Sequence, residues 1–204
     1  MAVVLLISII LIDQVSKIIV KTNMSLHECI DIFSWFKIVF IENNGMAYGM
    51  TFFNKLVLSL FRIVAIGAIG FYLWRVVHTK HKRGYVIALA MVLAGAAGNI
   101  FDSMFYGLVF DQSTYFSVSQ VVPFGTGYAP FLYGRVVDMF YFPLIVTHYP
   151  DWFPFHAGDE FIFFSPVFNF ADACISVSVV AIFLFYRQEL ENMGSVIKGK
   201  EPSV

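Results

Sequence analysis

Four runs of apolar residues approach the roughly 20 residues that a helix needs to cross a hydrocarbon layer. The first is AVVLLISIILIDQVSKIIV, from Ala2 to Val20, and the second runs from about Leu56 to Val77 with Arg62 near its start. The third, YVIALAMVLAGAAGNIFDSMFYG, covers Tyr85 to Gly107, and the fourth runs from about Asn169 to Tyr186. Two long connections separate them, roughly Thr22 to Lys55 and Leu108 to Phe168. Within these, IDIFSWFKIVFIENNGMAYGM and YGRVVDMFYFPLIV are rich in β-branched and aromatic residues punctuated by glycine, the pattern of short strands. The chain therefore reads as an all-α polytopic membrane protein. Four transmembrane helices carry a small β-rich platform on the outer face, and residues 1–204 form a single domain.

Composition agrees. Hydrophobic residues make up 59% of the chain and charged residues only 13%, with a mean hydropathy of +0.76. A soluble fold this apolar could not cover its own surface with polar groups. The first run lacks a basic leading region and a small-residue cleavage site, and it contains Asp13 and Lys17, so it reads as a retained span. A formal net charge of -1 gives no electrostatic reason for a nucleic-acid partner. Cys29 and Cys174 show no CxxC or metal-ligand spacing and read as free thiols.

Sidedness follows from lysine and arginine in the short link between the second and third runs. Arg75, Lys80, Lys82 and Arg83 place that link in the cytoplasm. Both termini then lie inside and both long connections outside.

That orientation gathers polar residues at the outer face. Asp13 and Lys17 share a helix face in the outer half of the first run. Asn99 and Asp102 lie near the outer end of the third run, and Asn169 and Asp172 at that of the fourth. Asn43, Asn44 and Asp138 belong to the outer connections. Every part of the chain except the second run contributes.

Most of these residues have a structural reading as well. NFAD is nearly a helix capping box. Asp13 and Lys17 form an i,i+4 ion pair, and ENNG reads as a turn. Asn99 and Asp102 suit interhelical hydrogen bonding, with Ala94, Gly95, Ala97 and Gly98 allowing close helix approach. Asp138, in RVVDMF, has no cap or turn to serve, and Arg135 is its only nearby cation in sequence. Asp138 and Asp172 are thus two carboxylates without obvious cationic partners near an apolar, water-accessible boundary. Such a pair shares a proton, so that one member accepts a proton from water while the other donates. This is aspartic protease chemistry.

Five blocks occur in order: IDQVSK (Ile12 to Lys17), NNGMAYGM (Asn43 to Met50), GNIFDS (Gly98 to Ser103), GRVVDMF (Gly134 to Phe140) and FNFADA (Phe168 to Ala173). Together they resemble the lipoprotein signal peptidase family, signal peptidase II, of bacterial cytoplasmic (inner) membranes. The resemblance implies an aspartic endopeptidase acting on diacylglyceryl-modified prolipoproteins among membrane lipids. It would remove the signal peptide immediately before the lipid-bearing cysteine, need no metal or other cofactor, and be inhibited by globomycin-type cyclic peptides. It assigns catalysis to Asp138 and Asp172. Asp13, Asn43, Asn99, Asp102 and Asn169 match positions that support or line the site, and Lys17, Gly45 and Arg135 are taken with them.

Two departures stand out. Ser103 occupies the place of the family's usual arginine, whose task is expected to pass to Arg135 or Lys17 unless the lipid contact differs. The segments from about Phe110 to Pro130 and from Thr147 to Ser165 are longer than the family pattern. The competing readings are a proton-coupled carrier using intramembrane carboxylates and a noncatalytic membrane assembly factor. Four runs without a repeat and carboxylates clustered at one face disfavour the carrier.

Overall fold

In the computed structural model, residues 1–44, 54–79, 81–152, 154–156 and 158–197 are described. Gly45, one of the expected site residues, lies outside them. Helix α1 spans Ala2–Asn23, α2 Lys55–Val77 and α3 Arg83–Val109. All three are long and apolar enough to cross a membrane. The fourth apolar helix, α4, covers Phe170–Phe185 and has only 16 residues. It opens at a cap on Asn169 and ends where Tyr186 leaves helical geometry (φ -129, ψ 26). Two short helices follow, α5 at Arg187–Glu191 and α6 at Met193–Ile197. Where four helices of crossing length are expected, the described chain has three and this shorter one.

Helix α3 is the hub, packing against α1, α2 and α4. Its small residues make that possible. A Cβ built on Gly95 would meet the Ala171 carbonyl oxygen at 2.5 Å, and one on Gly98 would meet Asp13 Oδ2 at 2.6 Å. The anticipated close-approach stripe is therefore used twice, once by α4 and once by α1. The bundle is inverted relative to a soluble one. Val4, Leu11, Phe61, Val64, Phe183 and Phe185 are exposed, whereas Asp13, Lys17, Asn99, Asp102 and Asn169 are buried. Apolar outside and ionised inside suits a hydrocarbon solvent.

The strands form two sheets. β1 (Cys29–Phe33), β2 (Phe36–Asn43) and β3 (Val136–Tyr141) pair antiparallel in the order β1-β2-β3. β4 (Ile145–His148) and β5 (Glu160–Phe163) form a separate antiparallel hairpin. The β2–β3 register sets Ile41 opposite Asp138 and Asn43 opposite Val136. Val20, Phe40, Tyr106, Phe110, Val137 and Met139 form a core that fastens this sheet onto the ends of α1 and α3. A second core, including Tyr72, Val76, Tyr85, Leu89 and Ile182, closes the opposite end of the bundle. Cys29 is exposed and Cys174 buried, both as free thiols.

Candidate functional site

Asp172 sits in the first turn of α4, where the leading N–H groups have no partner within the helix. Asn169 Oδ1 accepts from Asp172 N at 2.9 Å, and Asp172 Oδ2 accepts from Asn169 N at 3.4 Å, completing the capping box. That leaves Asp172 Oδ1, which accepts from Asn99 Nδ2 at 2.8 Å. Asp138 arrives from β3. Asn169 Nδ2 donates to its Oδ1 at 2.7 Å, and Asn43 Nδ2 to its Oδ2 at 3.2 Å. Asn99 Oδ1 accepts from Asn169 Nδ2 at 3.1 Å. The two carboxylates are thus joined through a pair of asparagines, each of which touches the other.

Asp138 is 3% exposed. Burial, reinforced by the negative charge of Asp172, pushes its carboxyl up to about 7. A carboxyl in that range carries a proton part of the time at neutral pH, and amide donors alone do not neutralise it. The arrangement can accept and release a proton near neutrality, which is what acid–base chemistry on an amide requires.

Beneath the pair lies an ionic knot. Lys17 Nζ contacts Asp13 Oδ2 and Asp102 Oδ2, each at 2.8 Å, and donates to Asn99 Oδ1 at 2.8 Å. All three charged side chains are fully buried. Gln14 Nε2 adds a bond to Asp102 Oδ1 at 2.8 Å, and Tyr106 donates to Gln14 Oε1 at 3.1 Å. Two carboxylate oxygens of the knot also bind backbone outside it. Asp13 Oδ1 accepts from Ala171 N at 3.0 Å, and Asp102 Oδ2 from Val137 N at 3.3 Å. One knot therefore holds the first turn of α4 beside Asp172 and the strand position beside Asp138. The i,i+4 pair seen in the sequence is only part of it.

Arg135, the cation nearest Asp138 in sequence, instead pairs through Nη1 with Glu42 Oε2 at 2.9 Å, and its guanidinium lies over the Tyr128 ring. An odd offset of three residues along extended backbone sends the two side chains to opposite faces. Glu42 also binds Lys21, with Ser113 bridging, so this second cluster ties the connection after α3 to β2. Beside Ser103 stands Lys55, whose Nζ donates to Ser103 Oγ at 3.1 Å. Helix α2, read as contributing nothing polar, presents Lys55, Ser59 and Arg62 along one face. Ser59 Oγ donates to the Leu132 carbonyl at 2.8 Å, and the charge of Arg62 acts on Asp172, Asp138 and Asp102. Spacings of four and three in an otherwise apolar helix were the available signal. Among the described residues, no group of three His, Cys, Asp or Glu side chains is placed to hold a metal ion.

The family model described as "Signal peptidase (SPase) II" matches residues 5–187. A protein from Porphyromonas gingivalis named lipoprotein signal peptidase is 46% identical over 183 residues, spanning 89% of this chain and 80% of that one. Another of the same name, from Amoebophilus asiaticus, is 34% identical over 189 residues, spanning 89% of this chain and 75% of its own. A solved bacterial membrane enzyme, determined by the in meso method at 2.3 Å resolution, superposes with a TM-score of 0.64. It covers 94% of this chain and 90% of that one at 19% identity, a likeness of fold.

Proposed function

The chain belongs to the signal peptidase II family, and we propose that it is an intramembrane aspartic endopeptidase. On this reading it cleaves the signal peptide of prolipoproteins immediately before the diacylglyceryl-modified cysteine. The observation that carries the reading is the coupling of Asp138 to Asp172 through Asn169 and Asn99 at the head of α4. In this proposal Asp138 supplies the proton to the substrate and Asp172 activates the water.

Water lying between the two carboxyls gives its proton to Asp172 as its oxygen bonds to the scissile carbonyl carbon. Asp138 gives its proton to the carbonyl oxygen as that oxygen gains charge. When the carbon–nitrogen bond breaks, Asp172 returns a proton to the leaving amine and Asp138 recovers its own from the collapsing intermediate. Proton balance closes over one turnover, and no other reactant is consumed.

In the same proposal α4 is the fourth span, both termini are cytoplasmic, and the three-stranded sheet rests on the outer face. Membrane lipids and globomycin-type peptides share the site's apolar approach. The site gathers Asp13, Asp102, Asp138 and Asp172 at one end of the bundle, an arrangement that suits a boundary reaction better than a transmembrane proton relay. Purified protein incubated with a diacylglyceryl-modified prolipoprotein should release a product shortened to the lipidated cysteine, read by mass spectrometry. An intact precursor after prolonged incubation with folded protein would remove the reading.

A further inference from the structure

The β4–β5 hairpin takes no part in the site. Among the described residues its strands pair only with each other, from Ile145 opposite Phe163 to His148 opposite Glu160, and join neither edge of the three-stranded sheet. A lone two-stranded hairpin is marginally stable at best in water. This one is apolar on both faces at its root. Strand alternation puts Ile145 and Phe163 on one face and Val146 and Ile162 on the other. Toward its tip, Trp152 is 79% and Phe155 98% exposed. Exposed apolar surface of this extent marks a binding surface for a membrane or a partner.

Its attachment decides between the two. The hairpin leaves the body just after β3 and returns at Phe168, whose backbone bonds Phe140 in both directions at 2.7 and 3.0 Å. The next residue is Asn169, the cap of α4. The hairpin therefore springs from the level at which an apolar helix begins. Aromatic rings run along that level without a break, Trp35 to Phe142 at 6.2 Å, Phe142 to Phe168 at 5.7 Å, and Phe168 to Phe164 at 5.8 Å. Aromatic girdles of this kind occupy the headgroup boundary of membrane proteins. The hairpin's charged residues, Asp151, Asp159 and Glu160, are acidic, so anionic lipid has nothing to attract it.

We propose that the β4–β5 hairpin is an interfacial membrane element, laying Trp152 and its apolar root into the headgroup–acyl boundary of a zwitterionic leaflet. It does so at the end of the bundle where α4 begins. Asp138 and Asp172 flank the root of the hairpin, so its immersion sets the depth at which they meet a lipid-anchored substrate. The lipid contact itself does not depend on the peptidase reading and is tested without turnover.

The test uses the full chain in nanodiscs of phosphatidylcholine. Subtracting the emission of a Trp152→Phe variant isolates one of the three tryptophans, and the substitution falls on an exposed side chain and keeps an aromatic ring there. The expected Trp152 emission is blue-shifted, shielded from iodide and quenched by phosphatidylcholine brominated near the carbonyl end of its chains. Adding phosphatidylglycerol should leave it unchanged. Water-like emission quenched by iodide would overturn the proposal, as would dependence on anionic lipid. Shielding from iodide without bromolipid quenching would also overturn it, in favour of a protein covering the hairpin.

Discussion

Asn169 donates its side-chain amide to Asp138 Oδ1 at 2.7 Å. The same side chain caps α4 through its oxygen, so one residue binds one carboxyl and fixes the helix turn that carries the other. The two tasks separate by substitution. Asn169→Asp keeps the cap, because aspartate caps about as well as asparagine, yet it replaces a donor to Asp138 with a third acid. Cleavage should fall at least about a hundredfold, the scale of a lost acid–base contribution, while thermal stability changes little. Asn169→Ala should lose activity and also about 1 kcal/mol of stability with the cap. Parallel cleavage assays and thermal melts distinguish these outcomes.

Lys17 is the only cation in hydrogen-bonding contact with Asp13 and Asp102 among the described residues. Lys17→Met leaves two buried carboxylates facing each other, and breaking a buried pair costs about 3–5 kcal/mol. Adding Asp102→Asn to Lys17→Met should recover part of that loss, since it removes one uncompensated charge. Denaturant unfolding of the single and double variants measures the recovery.

Asp138 couples stability to pH. Its folded carboxyl is pushed up to about 7 by burial and by Asp172, above its ordinary value of 3.8. Its stabilising contribution is therefore complete below the ordinary value and is lost as pH rises through about 7. Asp138→Asn removes this dependence. The stability of the wild type relative to Asp138→Asn should fall as pH is raised across that window, and cleavage should decline on the alkaline side of about 7. Melting curves and rates collected over a pH series check both.

Much of this arrangement was legible in the residues. The spacing in NFAD announced the cap, and the small residues from Ala94 to Gly98 announced close helix approach, though not that both α1 and α4 would make it. The parts that were not legible depend on distance along the chain. Asp138 and Asn43 meet only because β2 and β3 pair, and their positions are 95 residues apart. Arg135 stands close to Asp138 in sequence but faces Glu42, as extended backbone dictates. The α4 helix fills the apolar run that announced it, from the cap at Asn169 to Tyr186, and at 16 residues it is shorter than the other three apolar helices. The polar face of α2 was passed over because each of its residues is isolated among apolar neighbours. Only the helical period unites Lys55, Ser59 and Arg62.

Lys55 and Ser103 yield a direct test of that missed face. Ser103 is fully buried and bonded to Lys55. Ser103→Arg would set a second cation against Lys55 in a space built for a hydroxyl, so the variant should be destabilised and poorly active. Ser103→Arg combined with Lys55→Ala makes room and restores a single cation, and should regain most of the lost activity. Equal impairment of the single and double variants would separate Lys55 from any role at this position.

The most direct measurement of the central claim compares Asp138→Asn, Asp172→Asn and their combination in cleavage of a diacylglyceryl-modified prolipoprotein. Each variant is first matched to the wild type in melting and oligomeric state. Asparagine preserves size and, at Asp172, the ability to cap α4, but it cannot exchange a proton as the reaction requires. Either single variant should lose cleavage by several orders of magnitude, and the double variant should be scarcely worse, because members of one catalytic unit fail together. Near-normal turnover by a folded Asp172→Asn variant would contradict the account and leave Asp172 as a helix cap.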